Sequence, residues 1–299
     1  MLRYFAFPFA AMGSCCELKL YAVDAQAAQR AAQLAINSII RLEKNYSRYL
    51  ENNLLHKINQ AAHAGGSVIV NEETAALLDY ADSCYQNSDG LFDISSGILR
   101  KAWNFNTNVL PEQELVDSLL DRVGWDKIIW DAPRLTFKKQ GMALDFGGVV
   151  KEYAADQSAV ICLQAGIKHG LINLGGDIRI IGPHPDGNPW SIGIRNPRHR
   201  TQHIRHIQVY SGGVSTSGDY ERCIRIGNRY YSHIINPKTG WPVSGIASVT
   251  VVADFCLVAG SVSTIGMLKE RDGTTWLQSS GLPVFWVDID GFSGATGMR

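Results

Sequence analysis

Asp145-Phe146-Gly147-Gly148-Val149-Val150-Lys151 and, further on, Asn173-Leu174-Gly175-Gly176-Asp177 are the stretches on which the fold reading turns. The first glycine pair runs straight into a helix expected over residues 151–163, and the second breaks a strand expected over residues 170–181. Outward from there, residues 16–21 alternate polar and apolar as a half-buried strand does. Residues 27–49 turn to helical spacing, carried by Ala31, Leu34, Ile36, Ile39, Ile40 and Leu42. A second amphipathic helix covers 72–85, and a short one at 111–120 starts on Pro111. Residues 128–137 read as strand, turn and strand, residues 203–210, 245–253 and 284–288 as further strands, and 257–269 as a helix. Loop signals cluster at 182–189 and 196–200. Strands and helices do not alternate strictly, which argues against a doubly wound parallel sheet. With no linker and no internal repeat, the expectation is α+β: one compact unit, residues 1–288, with an antiparallel sheet and packed helices, then a tail, residues 289–299.

Composition narrows the function. Lys plus Arg is 28 and Asp plus Glu is 28 in a chain of 299 residues, so no net charge draws it to nucleic acid or to an acidic membrane. No basic run with interleaved aromatics occurs, and no segment reaches the roughly 18 apolar residues of a membrane span. The six cysteines, at 15, 16, 84, 162, 223 and 256, form no Cys-x-x-Cys pair and read as buried, reduced thiols of a cytoplasmic protein. Residues 4–11 are apolar and lead through Met12-Gly13-Ser14 to Cys15, a partial match to a lipoprotein leader. Pro8 interrupts that run and Arg3 is the only charge before it, so a cytoplasmic location is the expectation.

Four knots combine glycine with a polar or charged residue at the edge of an apolar run. They are Asp145–Lys151, Asn173–Asp177, Thr216-Ser217-Gly218-Asp219, and the stretch from His233 to Gly240. Backbone without a Cβ can approach a ligand closely, and its free N–H groups suit phosphates. Each alone also reads as a tight turn capped by Asp or Asn.

In their order the motifs resemble the FAD:protein FMN transferases of the ApbE type over almost the whole chain. The likeness runs from Met12-Gly13 and Ser47-Arg48-Tyr49 through Gly90-Leu91-Phe92-Asp93 to Asp145-Phe146-Gly147-Gly148 with Lys151 and Tyr153-Ala154-Ala155-Asp156. It continues in Asn173–Asp177, Thr216-Ser217-Gly218-Asp219-Tyr220-Glu221, and Ser232-His233 through Pro237-Lys238-Thr239-Gly240. The resemblance implies a T-fold-like α+β fold and FAD contacts at Met12, Tyr49, Leu91, Phe92, Asp93, Asp145, Lys151 and His233, with Lys151 and His233 acting in catalysis. Tyr49 and Phe92 offer flat faces to a ring, Lys151 suits a pyrophosphate at its helix N-terminus, and His233 suits a phosphate or ribose. The implied reaction is attack of a threonine hydroxyl on the FMN-side phosphorus of FAD, with AMP leaving.

Two departures stand out. The family holds Mg²⁺ with the carbonyl at Gly148, a carboxylate, and a threonine here at Thr264, but the carboxylate position is Gly260. That loss predicts weak Mg²⁺ binding, with Gly260→Asp as the repair, while Glu152, where the family usually has glycine, reads as a solvated helix residue, the alternative being a carboxylate that reaches the metal from the other side. The second departure is Asp290-Gly291-Phe292-Ser293-Gly294-Ala295-Thr296, which is similar to the acceptor segment that such transferases modify and marks Thr296 for covalent FMN. Three functions fit: a transferase acting on its own or another threonine, a redox flavoprotein whose Thr296 is loaded by a separate transferase and which meets a redox partner, and a non-catalytic FAD-binding module.

Overall fold

The computed structural model describes residues 1–199, 201–227 and 229–298; Arg200, Asn228 and Arg299 lie outside the described residues. The chain begins with a hairpin of β1 (Arg3–Ala11) and β2 (Ser14–Ala22). Its closing residues, Met12 and Gly13, take φ of +52° and +67°, the sense that matches the right-handed twist of two flanking strands. Phe5, Phe7 and Phe9 alternate onto the core, so the apolar run at 4–11 is strand material paired with β2. α1 (Ala25–Tyr46) follows, capped by the Asp24 carboxylate, which accepts from the Ala27 N–H at 2.8 Å. α2 (Leu54–Ala64) and α3 (Glu72–Asn87) are capped likewise by Asn53 and Asn71, with β3 (Ser67–Ile69) between them. α4 (Gln113–Leu120) leads to β4 (Ile128–Asp131) and β5 (Arg134–Phe137), which complete a small sheet with β3.

α5 (Val150–Gln164), β6 (His169–Leu174) and β7 (Asp177–Gly182) carry the two glycine stretches. Gly175 and Gly176 do more than interrupt a strand: positive φ at both folds it back into the β6–β7 hairpin. β8 (Trp190–Arg195) and β9 (His203–Val209) pair only with each other. β10 (Gly212–Gly218) precedes a second small hairpin, β11 (Cys223–Ile226) and β12 (Arg229–Ser232). β13 (Ile246–Ala253), α6 (Cys256–Leu268), α7 (Gly273–Ser279), β14 (Val284–Asp288) and β15 (Ser293–Thr296) complete the chain.

The main sheet is antiparallel throughout, in the order β1-β2-β6-β7-β10-β13-β14-β15. Side chains alternate across it and divide the core. Ile172, Leu174, Val249, Val251 and Val284 belong to the cluster packed with α1, α5 and α6, whereas Leu171, Ile178, Val214, Phe285 and Val287 meet Trp190, Ile194 and Ile207 of the β8–β9 hairpin. The architecture is α+β, helices on one face and a two-stranded cover on the other.

The expected tail needs correcting. Residues 293–296 are an edge strand, with Thr296 opposite Val284 and Gly294 opposite Trp286. The Asp288 carboxylate accepts from the N–H groups of Asp290 (2.9 Å) and Phe292 (2.8 Å), closing the turn before β15. A Cβ on Gly294 would stand 2.2 Å from the Trp286 ring, so the small residue there is what the cross-strand packing demands.

α1 packs against α5, and both helices bury alanines at the core: Ala28, Ala31, Ala32 and Ala35 on one, Ala154, Ala155 and Ala159 on the other. Small side chains let the helix layer lie close to the sheet. Ala155→Leu is expected to destabilise the fold by about 1–3 kcal/mol, read as a lower urea midpoint at unchanged slope.

Candidate functional site

Two hairpin tips meet at one end of the main sheet. A Cβ on Gly175 would lie 2.6 Å from both Cβ and Oγ of Ser14, so only glycine lets the β6–β7 tip press against the β1–β2 tip. On the β1–β2 side, the Met12 N–H donates to Glu43 Oε1 at 2.6 Å, tying the strained tip to α1. Beside the tips opens a cleft of about 1390 Å³, larger than the roughly 300–1,000 Å³ of ordinary small-ligand pockets. Met12, Tyr49, Leu91, Phe92, Asp93, Asp145, Gly148, Lys151, His233 and Thr264 all line it. Gly260 and Thr296 are not among its lining residues.

The two aromatic faces differ in character. Tyr49, on the loop after α1, is 72% exposed, with the Arg48 guanidinium 4.7 Å from its ring centroid. Phe92 is buried, and a Cβ on Gly148 would meet its ring at 3.5 Å. Asp93 is spent on the backbone: its two oxygens accept from the N–H groups of Ser95 (2.8 Å) and Trp125 (3.0 Å), which holds Leu91 and Phe92 in place. Burial raises the pKa of Asp93.

Charge is distributed unevenly. Asp145 accepts from Arg48, from Arg100 Nε at 3.0 Å and from the Gly147 N–H at 2.9 Å. Burial opposes its charge, but Arg100 and Arg48 hold its pKa below the usual carboxylate range. Lys151, expected to face a pyrophosphate, has its ammonium 2.6 Å from Asp177 Oδ2, and Asp177 also accepts from the Ser215 hydroxyl. Burial would discharge Lys151; Asp177 outweighs it and keeps the ammonium protonated. Arg222 also lines the cleft and, among the described residues, forms no ion pair. His233 shares this environment. Burial first, then the positive charges of Arg100 and Arg222, lower its pKa to about 4, and its Nδ1 is buried with no hydrogen-bond partner. At neutral pH it is an uncharged imidazole with an unused nitrogen.

The reading of Glu152 as a solvated helix residue is overturned, and the alternative that it faces the metal side stays open. It is 6% exposed, part of the cleft wall, and its Oε2 has no hydrogen-bond partner. Burial and the neighbouring Asp177 push its pKa up to about 8, against the pull of Lys151. A Cβ at Gly260 would stand 2.5 Å from Glu152 Cγ and 3.0 Å from its Cδ and Oε1. Gly260→Asp alone is therefore a steric clash and no simple repair. The Thr264 hydroxyl lies 3.1 Å from that of Ser217. Gly148, Thr264 and Glu152 all line the cleft and bring hard oxygen donors to it, a set suited to a divalent cation of the magnesium kind.

Arg48, Arg100, Arg222, Glu43 and Asp177 are cleft residues that sequence reasoning did not single out, and Glu152 stands out in the sequence only as a departure that reads chiefly as solvated. Arg48 and Asp177 lie inside the Ser47–Tyr49 and Asn173–Asp177 motifs, where their charge is the signal that marks them. Glu152 had a subtler signal. Around it, α5 offers Ala154, Ala155, Ala159 and Cys162 and lacks a consistent polar face, the mark of a helix buried on several sides.

The family model described as the ApbE family matches residues 12–286. An FAD:protein FMN transferase of Rhodobacter capsulatus is 30% identical over 221 residues, 70% of this chain, and the match spans 41% of that relative's length. Another, from Chlamydia muridarum, is 26% identical over 271 residues, covering 87% of this chain and 82% of the relative. The crystal structure of the ApbE protein of Thermotoga maritima superimposes with a TM-score of 0.90 at 29% identity, over 99% of this chain and 97% of that one. The family match takes in every cleft residue from Met12 to Thr264, and the chain belongs to the ApbE family.

Proposed function

We propose that this chain is an FAD:protein FMN transferase, moving FMN from FAD to a threonine hydroxyl of a second polypeptide. The observation that carries the reading is the cleft itself. It gathers two aromatic faces, an excess of guanidinium groups and an uncharged His233 around the glycine-rich N-terminus of α5. Tyr49 and Phe92 are suited to the flavin and adenine rings. Arg222, with Arg48 and Arg100 sharing the single carboxylate of Asp145, supplies the net positive charge that a pyrophosphate needs. The threonine Oγ attacks the FMN-side phosphorus, the bond to the bridging oxygen breaks, and AMP leaves with that oxygen. His233 Nδ1, with the ring proton on Nε2, accepts the threonine's proton. A divalent cation supplies neutralisation of the pyrophosphate charge, and Gly148 and Thr264 are residues that would hold it.

A redox carrier without transfer activity would rest on the glycine at 260 and on the acceptor-like segment at 290–296, and Glu152 weakens the first support by occupying the space beside Gly260. Covalent FMN on Thr296 within one chain would require β15 to leave its ladder. Thr250, which lines the cleft, pairs with Phe285, which pairs with Ala295. The strand that carries Thr296 thus lies two strand spacings from a cleft residue, roughly 10 Å across the sheet.

The test combines the purified protein, FAD, Mg²⁺ and an acceptor peptide ending in Ser-Gly-Ala-Thr. The expected outcome is release of AMP with a flavin phosphoester on the peptide, while the protein's own mass stays unchanged. Peptide left unmodified by FAD-saturated protein would refute transfer, and flavin on the chain that Thr296→Ala removes would make the chain its own acceptor. His233→Ala is expected to lower transfer about 10²-fold or more, with FAD still quenched on binding.

The pH profile adds a second check. The neutral form of His233 persists until pH falls to about 4, so its acid limb in kcat/KM belongs there and not near the ordinary histidine value of about 6.5. Arg222→Ala removes a positive charge that depresses this pKa, and the limb is expected to move to higher pH.

A further inference from the structure

We propose that Glu152 is the charged ligand of a divalent cation in this cleft, its carboxylate delivered from α5 into the space left by the missing side chain at Gly260 on α6. The inference deepens the transferase reading and rests on it in one respect, that the cation binds together with FAD.

Two observations carry it. Glu152 is 6% exposed and its Oε2 has no hydrogen-bond partner. A buried carboxylate oxygen left unsatisfied is costly, so a group that satisfies it is required. Independently, the geometry of position 260 shows a shared volume. With a Cβ there only 2.5 Å from Glu152 Cγ and 3.0 Å from Oε1, a side chain at 260 and the side chain of Glu152 exclude one another. α5 and α6 pack together, so a carboxylate can reach the same volume from either helix, and this chain uses α5.

The surroundings favour magnesium-like chemistry. Gly148 and Thr264 line the same cleft and offer a carbonyl and a hydroxyl. Among the described residues no three His, Cys, Asp or Glu side chains cluster as a metal cage would need. Mg²⁺ is commonly held by one or two carboxylates together with substrate phosphates, and one glutamate with neutral oxygens fits that pattern. Asp177, a neighbouring carboxylate, is already taken by Lys151 at 2.6 Å and by the Ser215 hydroxyl.

The experiment titrates Mn²⁺ into the full chain with saturating FAD and follows free Mn²⁺ by electron paramagnetic resonance, with flavin quenching measured in every sample. Wild type is expected to bind one Mn²⁺ per chain. Glu152→Gln should weaken this about tenfold or more while FAD stays bound. Gly260→Asp alone should gain nothing and lower the melting temperature, because its Cβ meets Glu152. The double exchange Glu152→Gly with Gly260→Asp should regain Mn²⁺ binding, since the carboxylate returns to the same volume from the other helix. Equal Mn²⁺ affinity in Glu152→Gln, no Mn²⁺ binding by FAD-loaded wild type, or a folded, FAD-bound double variant that stays metal-free would each overturn the assignment and leave flavin binding standing. Failure of wild type to quench FAD would remove both readings.

Discussion

The Asp177 carboxylate, at the start of β7, ties three elements together at the floor of the cleft. It pairs with Lys151 on α5 and accepts from Ser215 on β10. Asp177 is buried, so removing either charged partner would leave the other uncompensated, at a cost of about 3–5 kcal/mol. Gly175-Gly176 turns the chain immediately before it, and Gly175 sits against Ser14 of the neighbouring tip. The motif Asn173–Asp177 thus fixes a junction: helix N-terminus, two hairpin tips and a central strand share one anchor. The glycine pair at 147–148 then opens α5 in an orientation that this anchor has already set.

Electrostatics follows from the same anchor. With Lys151 matched to Asp177, the positive potential offered to a ligand comes from the guanidinium groups. Two of them share Asp145 and one, Arg222, is unpaired among the described residues. A chain with equal numbers of acidic and basic residues can thereby hold a locally cationic cleft. Those charges also act on His233, which burial and the two arginines keep neutral. In the proposed transfer, the charges that would bind a pyrophosphate are thus the ones that also keep the imidazole unprotonated.

What the sequence revealed depended on how local the governing physics was. α1 and α3, with Asp24 and Asn71 at their N-caps, and the alternating strand β2 could be read from spacing alone. β10 escaped because Gly212, Gly213 and Gly218 with small polar residues between them carry no strand signal; its burial comes from neighbours on both sides. β8 lay hidden behind the loop signals that precede Trp190. β1 resembled the start of a leader because an apolar strand and an apolar export segment share a composition. Most cleft residues were reached only through the order of their motifs, since no periodicity relates Tyr49 to His233. Glu152 and Gly260 show the limit most clearly. Along the chain they are two unrelated departures, a carboxylate gained and a carboxylate lost, and only the packing of α5 on α6 reveals that they concern one volume.

The same lesson applies in reverse at the end of the chain. A segment that threads a threonine into a narrow site needs small neighbours and a turn before it. An edge strand that crosses an indole needs them as well. Gly294 lies against Trp286, Gly291 takes φ of +90°, and Asp288 closes the turn by accepting two backbone N–H groups. Residues of the acceptor-like spelling are thus accounted for by the ladder in which they sit, with Thr296 the exception, since its hydroxyl has no such demand placed on it by β14. Spelling therefore cannot separate an acceptor from an edge strand, whereas position can. Reaching the cleft of its own chain would take Gly294 off the ring and open the pairing of β15 with β14. A threonine on another polypeptide meets no such obstacle, and that asymmetry is the physical ground for the proposal that the acceptor lies in trans.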